Sequence, residues 1–148
     1  MNKRIFLALT CVFALAFATT GISQQPPMKH EPGRVLISIY KAVPGKHAEL
    51  VKWMAAREAA EKEAGGGPTH WFMHTDGADW DFVAVSHLGS AKEEADRAAK
   101  IDELLKKKGL STGMAASLEF RTMVAAHTDT FAVGPYTATE LLAEMQKK

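Results

Sequence analysis

The order in which strand and helix patterns alternate is the feature that most constrains the fold of this chain. Residues 34–41 (RVLISIYK) are rich in β-branched side chains and predict a strand with apolar residues on both faces. A helical stripe of apolar side chains follows over residues 46–64, and the sequence GGGP at 65–68 ends it. The first two elements are therefore a strand and a helix, joined by a proline-glycine turn.

A hairpin and a second helix continue the pattern. Aromatic and β-branched runs at residues 69–75 and 80–88 surround an Asp-Gly pair, which predicts two antiparallel strands. A Ser-x-x-Glu capping box then begins a helical pattern over residues 90–108. Lysines and a glycine at its end are typical of a helix C-terminus.

The last part of the chain predicts one more strand and one more helix. After a loop at residues 109–116, residues 117–127 (SLEFRTMVAAH) alternate and predict a fourth strand. Thr137 and Glu140 form a further capping box, which predicts a short helix to about Met145. The order βαββαβ plus a terminal helix predicts an α+β fold, in which a ferredoxin-like sheet carries two helices on one face.

The sheet face turned away from these helices needs a cover. Because the first strand is apolar on both sides, water is a poor neighbour for that face. The simplest cover is the same face of a second copy. We therefore expect a two-fold homodimer, a dimeric α+β barrel whose two sheets enclose a barrel-like cavity.

The N-terminus has the pattern of an export signal. Lys3 and Arg4 precede an apolar run at residues 5–17, which is shorter than a membrane span, and small residues offer a cleavage site after Ala18. Cleavage of this leader predicts a periplasmic or secreted domain with no membrane contact of its own. Cys11 lies inside the apolar run, so a lipid-anchored cysteine is the alternative, although no small residue directly precedes it.

The remaining chain predicts a single domain. A signal peptide at residues 1–18 (or as far as 24) and a flexible, proline-rich tether at 19–33 leave residues 34–148 as one folded unit. The formal net charge of +1 becomes −1 once the two basic leader residues are removed, which argues against nucleic acid as a partner. With an ordinary leader the mature chain has no thiol, so disulfides and zinc–thiolate sites are excluded.

Three histidines and an aspartate fall on the predicted hairpin. A turn at residues 77–78 sets His74 opposite Asp81 and puts His70 and His87 on the same side. Such a cluster could bind a ligand, hold a divalent ion or orient a general base. Alternatively, the histidines are partly solvated tips of an edge strand. Since no motif such as HExxH supports an ion, we expect no metal and no other cofactor.

Arg121 and His127 share a face of the predicted fourth strand with Glu119. In one interpretation Arg121 holds a substrate carboxylate or enolate while His127 transfers a proton. In the other, Arg121 pairs with Glu119, within the strand or across the dimer, and His127 lies at the end of the sheet.

Two further residues are candidates for ligand binding. Asp129 belongs to the polar segment His127-Thr128-Asp129-Thr130, which follows an apolar strand, and sites are common where strands end. Tyr40 lies near the end of the first strand. Its hydroxyl either reaches the same cavity or is satisfied within the core.

The element order over residues 34–127, and the junction KAVPGK at 41–46 that leads from strand to helix, resemble the dimeric α+β barrel superfamily. This group includes the antibiotic biosynthesis monooxygenase-like and haem-degrading monooxygenase-like domains. The resemblance implies a pocket between helices and sheet or within the barrel, and a function among oxygenases, decyclisers, haem binders and proteins without known activity. The haem-degrading branch uses a pocket asparagine, whereas the only asparagine here, Asn2, lies in the leader.

Two functions are consistent with these patterns. In the first, the domain binds a small apolar or aromatic ligand in the barrel cavity and, with a base beside a dry pocket, acts as a cofactor-independent monooxygenase-like enzyme. In the second, it is a non-catalytic periplasmic or secreted binding or interaction module. A polar-lined cavity of several hundred Å³ favours ligand chemistry, and a filled interior favours the module.

Overall fold

A computed structural model describes residues 32–147 of the chain. The expected signal peptide and nearly all of the expected tether, residues 1–31, lie outside the described residues. Within the described part, no helix has the length and apolar character needed to cross a membrane.

The described residues form four strands and four helices. In chain order the elements are β1 (Gly33–Ala42), α1 (His47–Glu63), β2 (Thr69–Met73), β3 (Phe82–His87), α2 (Ala91–Lys107), α3 (Gly113–Arg121), β4 (Val124–Gly134) and α4 (Ala138–Met145). This order confirms the sequence prediction, except for the additional helix α3 between α2 and β4.

The four strands form one open antiparallel sheet in the order β2-β3-β1-β4. β1 lies at the centre and pairs with β4 from Gly33, opposite Gly134, to Tyr40, opposite His127, and onward to a β-bulge near Ala42. The strand order and the helix positions confirm the predicted ferredoxin-like α+β fold.

The core lies between α1 and one face of the sheet. Leu50 of α1 is fully buried and belongs to the same cluster as Tyr40, Ala84 and Met123. Because β-strand side chains alternate between faces, Ser38 and Tyr40 of β1 point toward the helices. Burying a side chain such as Leu50 contributes about 1.5–3 kcal/mol to stability.

The region between α2 and β4 corrects the sequence prediction. The alternation predicts a loop at 109–116 and a strand at 117–127, but residues Gly113–Arg121 are helical and β4 begins at Val124. The segment GMAASLEFR contains no β-branched residue and is rich in helix formers. Phe120 packs its ring against Trp53, with ring centroids 5.4 Å apart. Local propensity and burial therefore prevail over the alternating pattern.

Both predicted capping boxes are present. The Ser90 hydroxyl accepts a hydrogen bond from the Glu93 backbone at the start of α2, and the Glu93 carboxylate accepts one from the Ser90 backbone. Thr137 and Glu140 make the same pair of bonds at the start of α4. α4 lies on the sheet face opposite α1, where its Leu141 faces the side chains of β1.

Candidate functional site

Two cavities lie on opposite faces of the sheet. One lies between the sheet and the helices α1 and α3, and we call it the helix-side pocket. The other lies on the far face, between the sheet and the segment that leads into α4, and we call it the outer cavity. Side chains along β1 alternate between the two faces of the sheet. Tyr40 therefore faces the helix-side pocket, and Val35 and Ile37 face the outer cavity.

The helix-side pocket has a volume of about 280 Å³. Side chains of β1, α1, α3 and β4 line it: Tyr40, Trp53, Ala116, Ser117, Phe120, His127 and Asp129. Three of the candidate residues from the sequence, Tyr40, His127 and Asp129, are therefore brought together. The helix α3, which the sequence analysis did not predict, supplies one wall.

Asp129 organises the polar side of this pocket. One carboxylate oxygen, Oδ1, accepts a hydrogen bond of 2.7 Å from the hydroxyl of Ser38, which is 5% exposed. The other, Oδ2, lies 3.7 Å from Nε2 of His127. Together the carboxylate and the imidazole can act as a general base toward a bound molecule.

Tyr40 forms the floor of the pocket. Its ring is nearly parallel to the His127 ring at a centroid distance of 6.3 Å and to the Trp71 ring at 5.8 Å, while Phe120 meets it edge-on at 6.2 Å. Burial raises the pKa of Tyr40 above its ordinary value, and the negative charge of Asp129 adds to this effect. The phenol is therefore a hydrogen-bond donor at neutral pH.

Trp53 forms the opposite wall. The guanidinium of Arg57 lies 3.4 Å from the centroid of its ring, and the same group donates to the Ser111 carbonyl at 2.7 Å. The indole N–H is buried and makes no hydrogen bond within the described residues. The hydrogen bond from the Ser111 hydroxyl is the main reason why the pKa of Glu119 lies below its usual value.

Arg121 does not share a strand face with His127, which corrects the sequence prediction. It lies in the last turn of α3 and is exposed, whereas His127 lies on β4. Arg121 makes no ion pair with any residue in 32–147, and the Glu119 carboxylate instead accepts a hydrogen bond from the Ser111 hydroxyl. The predicted Glu119–Arg121 pair is therefore absent from this part of the chain.

The outer cavity is larger, at about 580 Å³. Its lining is mostly apolar and comes from all four strands and the segment leading into α4: Val35, Ile37, His70, Phe72, Val85, His87, Ala132, Val133, Gly134, Pro135, Tyr136 and Leu141. A polar lining is the feature that we expected of a ligand site. Among the residues that line the outer cavity, however, the histidines and one tyrosine are the only ones with polar side chains.

The hairpin register is the one that a turn at 77–78 predicts, but its four candidate residues do not form one cluster. His70 lies opposite Val85, and its ring centroid is 6.0 Å from that of His87, so these two share the outer cavity. His74 turns into the hairpin loop instead, where its Nε2 accepts a hydrogen bond of 3.0 Å from the Ala78 backbone.

Asp81 also lies outside the expected cluster, because its carboxylate is hydrogen-bonded to the backbone at the end of β1. Its carboxylate accepts a hydrogen bond of 2.7 Å from the Ala42 amide and lies 3.2 Å from Nε2 of His47. The Ala42 amide is the main reason why the pKa of Asp81 lies below its usual value. Within residues 32–147, no group of three or more histidine, cysteine or acidic side chains is arranged to hold a metal ion.

Two residues at the helix-side pocket were not predicted from the sequence to have a functional role: Ser38, which donates to Asp129, and Trp53, which lines the pocket. Ser38 is a polar residue among β-branched neighbours with the same parity as Tyr40, and that parity is the signal that could have identified it. Trp53 lies on the apolar stripe of α1, a pattern that predicts a core residue. Only the position of α3 makes one side of its ring a pocket wall.

Comparison with solved structures finds the same fold in proteins of low sequence identity. SnoaB, a cofactor-independent oxygenase from Streptomyces nogalater, matches with a TM-score of 0.51 and 12% identity, over 75% of this chain and 100% of that chain. A NIPSNAP family protein of unknown function from Agrobacterium tumefaciens gives 0.51 and 13%, over 72% and 92%. A second NIPSNAP family protein from that organism gives 0.50 and 16%, over 73% and 96%.

These similarities define the class of fold. The chain shares the ferredoxin-like α+β fold of these proteins, which is the fold that the sequence resemblance implies. No protein-family profile matches the chain, and no curated protein matches it. The fold is shared by an oxygenase and by proteins of unknown function, so the activity has to be argued from the cavities.

Proposed function

We propose that this protein is an exported homodimeric domain that binds a small apolar or aromatic molecule in the outer cavity. The observation that carries the proposal is the cavity itself, whose volume of about 580 Å³ lies within the range of small-molecule sites. A mostly apolar lining with a few polar groups is typical of such sites.

The exposure of the lining supports a ligand. Phe72 is 56% exposed and Leu141 is 47% exposed, although both lie beside apolar neighbours. Covering apolar surface is worth about 25 cal/mol for each Å² removed from water. A ligand in this cavity therefore gains affinity from side chains that the single chain leaves in contact with water.

The proposed homodimer would form through the sheet face that carries the outer cavity. Ile39 and Phe72 project from it and are exposed, and Leu142 and Met145 of α4 add further exposed apolar surface. Contiguous exposed apolar residues of this kind mark interaction surfaces. A second copy that presents the same face would cover them and would enclose the ligand between two sheets.

Export is proposed on the leader pattern of residues 1–18 alone. Expression of the full chain in a Gram-negative host tests it. The expected result is a periplasmic product that begins at Thr19, or at Gln25 at the latest. Retention of the intact N-terminus on the cytoplasmic side would contradict the proposed export.

A fluorescent apolar probe tests the ligand proposal. N-phenyl-1-naphthylamine is expected to bind the mature chain with increased emission. Val85→Trp should weaken this binding at least tenfold, because the larger side chain fills the outer cavity. Ala116→Trp, which fills the helix-side pocket instead, is the matched control and should leave probe binding unchanged. Equal loss in both variants, or no binding by the wild type, would refute the proposal.

A second candidate function is proton-abstracting, oxygenase-like catalysis in the helix-side pocket. It is favoured by the His127–Asp129 pair beside the aromatic rings of Tyr40 and Trp53. In this candidate His127 takes the proton of a bound phenol, and Asp129 stabilises the resulting imidazolium. The phenolate is then paired with this imidazolium, whose positive charge offsets the burial and the charge of Asp129 that disfavour the phenolate of Tyr40. The phenolate is the form that reacts with dioxygen.

Absorbance of a bound phenol tests this second candidate. With 2-naphthol, the wild type should show phenolate absorbance at neutral pH, and oxygen uptake should follow for phenols of one to three rings. His127→Gln should abolish the phenolate band, whereas His74→Gln, a histidine outside the pocket, should keep it. If no phenol ionises, the domain is better described as a non-catalytic binding module.

A further inference from the structure

We propose that the ligand of the outer cavity is an amphiphilic carboxylic acid whose carboxylate lies between His70 and His87. This inference rests on the proposed function and names the chemical class of the ligand. The apolar body of the acid extends across the sheet toward α4. The histidine pair, the charge of the lining and the shape of the cavity support this assignment.

The histidine pair offers two donors to one group. The rings of His70 and His87 have centroids 6.0 Å apart and planes at 85° to each other. Neither side chain makes a hydrogen bond or an ion pair with another residue in 32–147. Each imidazole carries at least one N–H, and a carboxylate has two oxygens that can accept from both rings.

The charge of the lining favours an anion over a cation. The outer cavity contains no aspartate, glutamate, lysine or arginine among its lining residues, so the two histidines are the only groups there that can become positively charged. An acid meets no like charge in the cavity. A cationic ligand would find no carboxylate to pair with.

A neutral apolar ligand fits the histidines less well. His70 is exposed on the edge strand β2 and His87 is half-buried. A molecule that fills the cavity removes further water from them, and a polar group that loses water without gaining a partner is costly. A carboxylate replaces that water with charge-assisted hydrogen bonds. The pair therefore selects an acid over an alcohol or a hydrocarbon with the same apolar body.

The two histidines lie toward one end of the cavity. They lie on β2 and β3, at one side of the sheet, whereas Ala132 and Val133 lie on β4, at the other, and Pro135 directly follows β4. Four strands span three spacings, which is about 14 Å. Val35 and Ile37 of the central strand form an apolar floor between the ends. An extended chain of roughly ten carbons has a comparable length.

Displacement of the fluorescent probe by a matched pair of ligands tests the inference. Decanoate and decanol have the same chain length and differ in the head group. At neutral pH, decanoate is expected to displace N-phenyl-1-naphthylamine from the mature chain at a concentration about tenfold lower than decanol. In the double variant His70→Gln, His87→Gln, decanoate and decanol should displace the probe at similar concentrations. His74→Gln, whose side chain lies in the hairpin loop, should retain it.

The outcomes separate the two proposals. If the probe does not bind the wild type, the proposed function fails. If the probe binds but decanol displaces it as well as decanoate does, the cavity is a ligand site and the carboxylic acid assignment is wrong. If the His74→Gln control loses the preference together with the double variant, the His70–His87 pair is not its source, and the assignment is again wrong.

Discussion

Tyr40 shows how burial and a nearby charge act on one side chain. Its ring is stacked between aromatic neighbours and is 8% exposed, and Asp129 lies beside it. Both effects disfavour the phenolate, so the pKa rises above the ordinary value of 10.0. A group whose pKa is higher in the folded state than in the unfolded state stabilises the fold fully at a pH below the unfolded-state pKa. This stabilisation is lost as the pH rises through the folded-state pKa.

A spectrophotometric titration checks this property, because the chain has only two tyrosines. We expect the wild type to ionise in two phases and Tyr40→Phe to lack the phase at higher pH. The variant should also lose less stability than the wild type above pH 10. Tyr136→Phe is the control that should keep the phase at higher pH. Loss of the lower phase in Tyr40→Phe would show that the burial argument is wrong.

Asp81 illustrates the opposite shift. Its hydrogen bond from the Ala42 amide favours the ionised form, so its pKa lies below the usual 3.8. The resulting stabilisation of the fold is present at a pH above the unfolded-state pKa of Asp81. It is lost as the pH falls through the lower folded-state pKa.

Thermal unfolding between pH 7 and pH 3 tests this prediction. Asp81→Asn should lower the Tm at pH 7, and the difference from the wild type should shrink progressively below about pH 4. Asp76→Asn, in the same exposed loop, is the matched control and should have little effect. A Tm difference that stays constant across this pH range would contradict the assignment.

Individual elements were predictable wherever one pattern dominated locally. The β-branched run of β1, the hairpin and both capping boxes are local signals, and the structure has all of them. The segment 113–121 was predicted wrongly. Its alternating polarity suits a strand, but its helix-forming composition and the packing of the partly buried Phe120 against Trp53 favour the helix Gly113–Arg121.

The N-terminal cap of α4 leads to a testable prediction about the stability of this helix. α4 has no buried residue, so its stability depends strongly on its N-terminal cap. Thr137→Ala should cost about 1 kcal/mol locally, which increases amide exchange in α4 and weakens probe binding several-fold. The global Tm should change little.

Ser90→Ala is the matched control, because it removes the same kind of cap from α2. This variant should leave probe binding unchanged, since α2 does not line the outer cavity. Unaltered exchange in α4 after Thr137→Ala would contradict the proposed dependence on the cap.

At the scale of the whole molecule, the sheet decides which candidate residues can act together. Strand alternation places Tyr40, His127 and Asp129 on the helix side and His70 and His87 on the outer side. Sequence reasoning could identify both groups but not their separation, because that depends on the pairing of β1 with β4. It also could not show that α4 returns to the outer face.

The sheet face opposite α1 and α3 is central to the account, since the outer cavity lies on it and the proposed homodimer depends on it. Phe72 and Met73 are adjacent on β2, are 56% and 71% exposed, and point to opposite faces. They therefore form a matched pair of sites at which a charge can be introduced.

Sedimentation equilibrium of residues 19–148 tests this claim most directly. The account predicts a dimer for the wild type and for Met73→Glu, and a monomer for Phe72→Glu, because a charge on the outer face opposes its burial. A wild-type chain that stays monomeric at all concentrations, or a Phe72→Glu variant that dimerises as well as Met73→Glu, would contradict it.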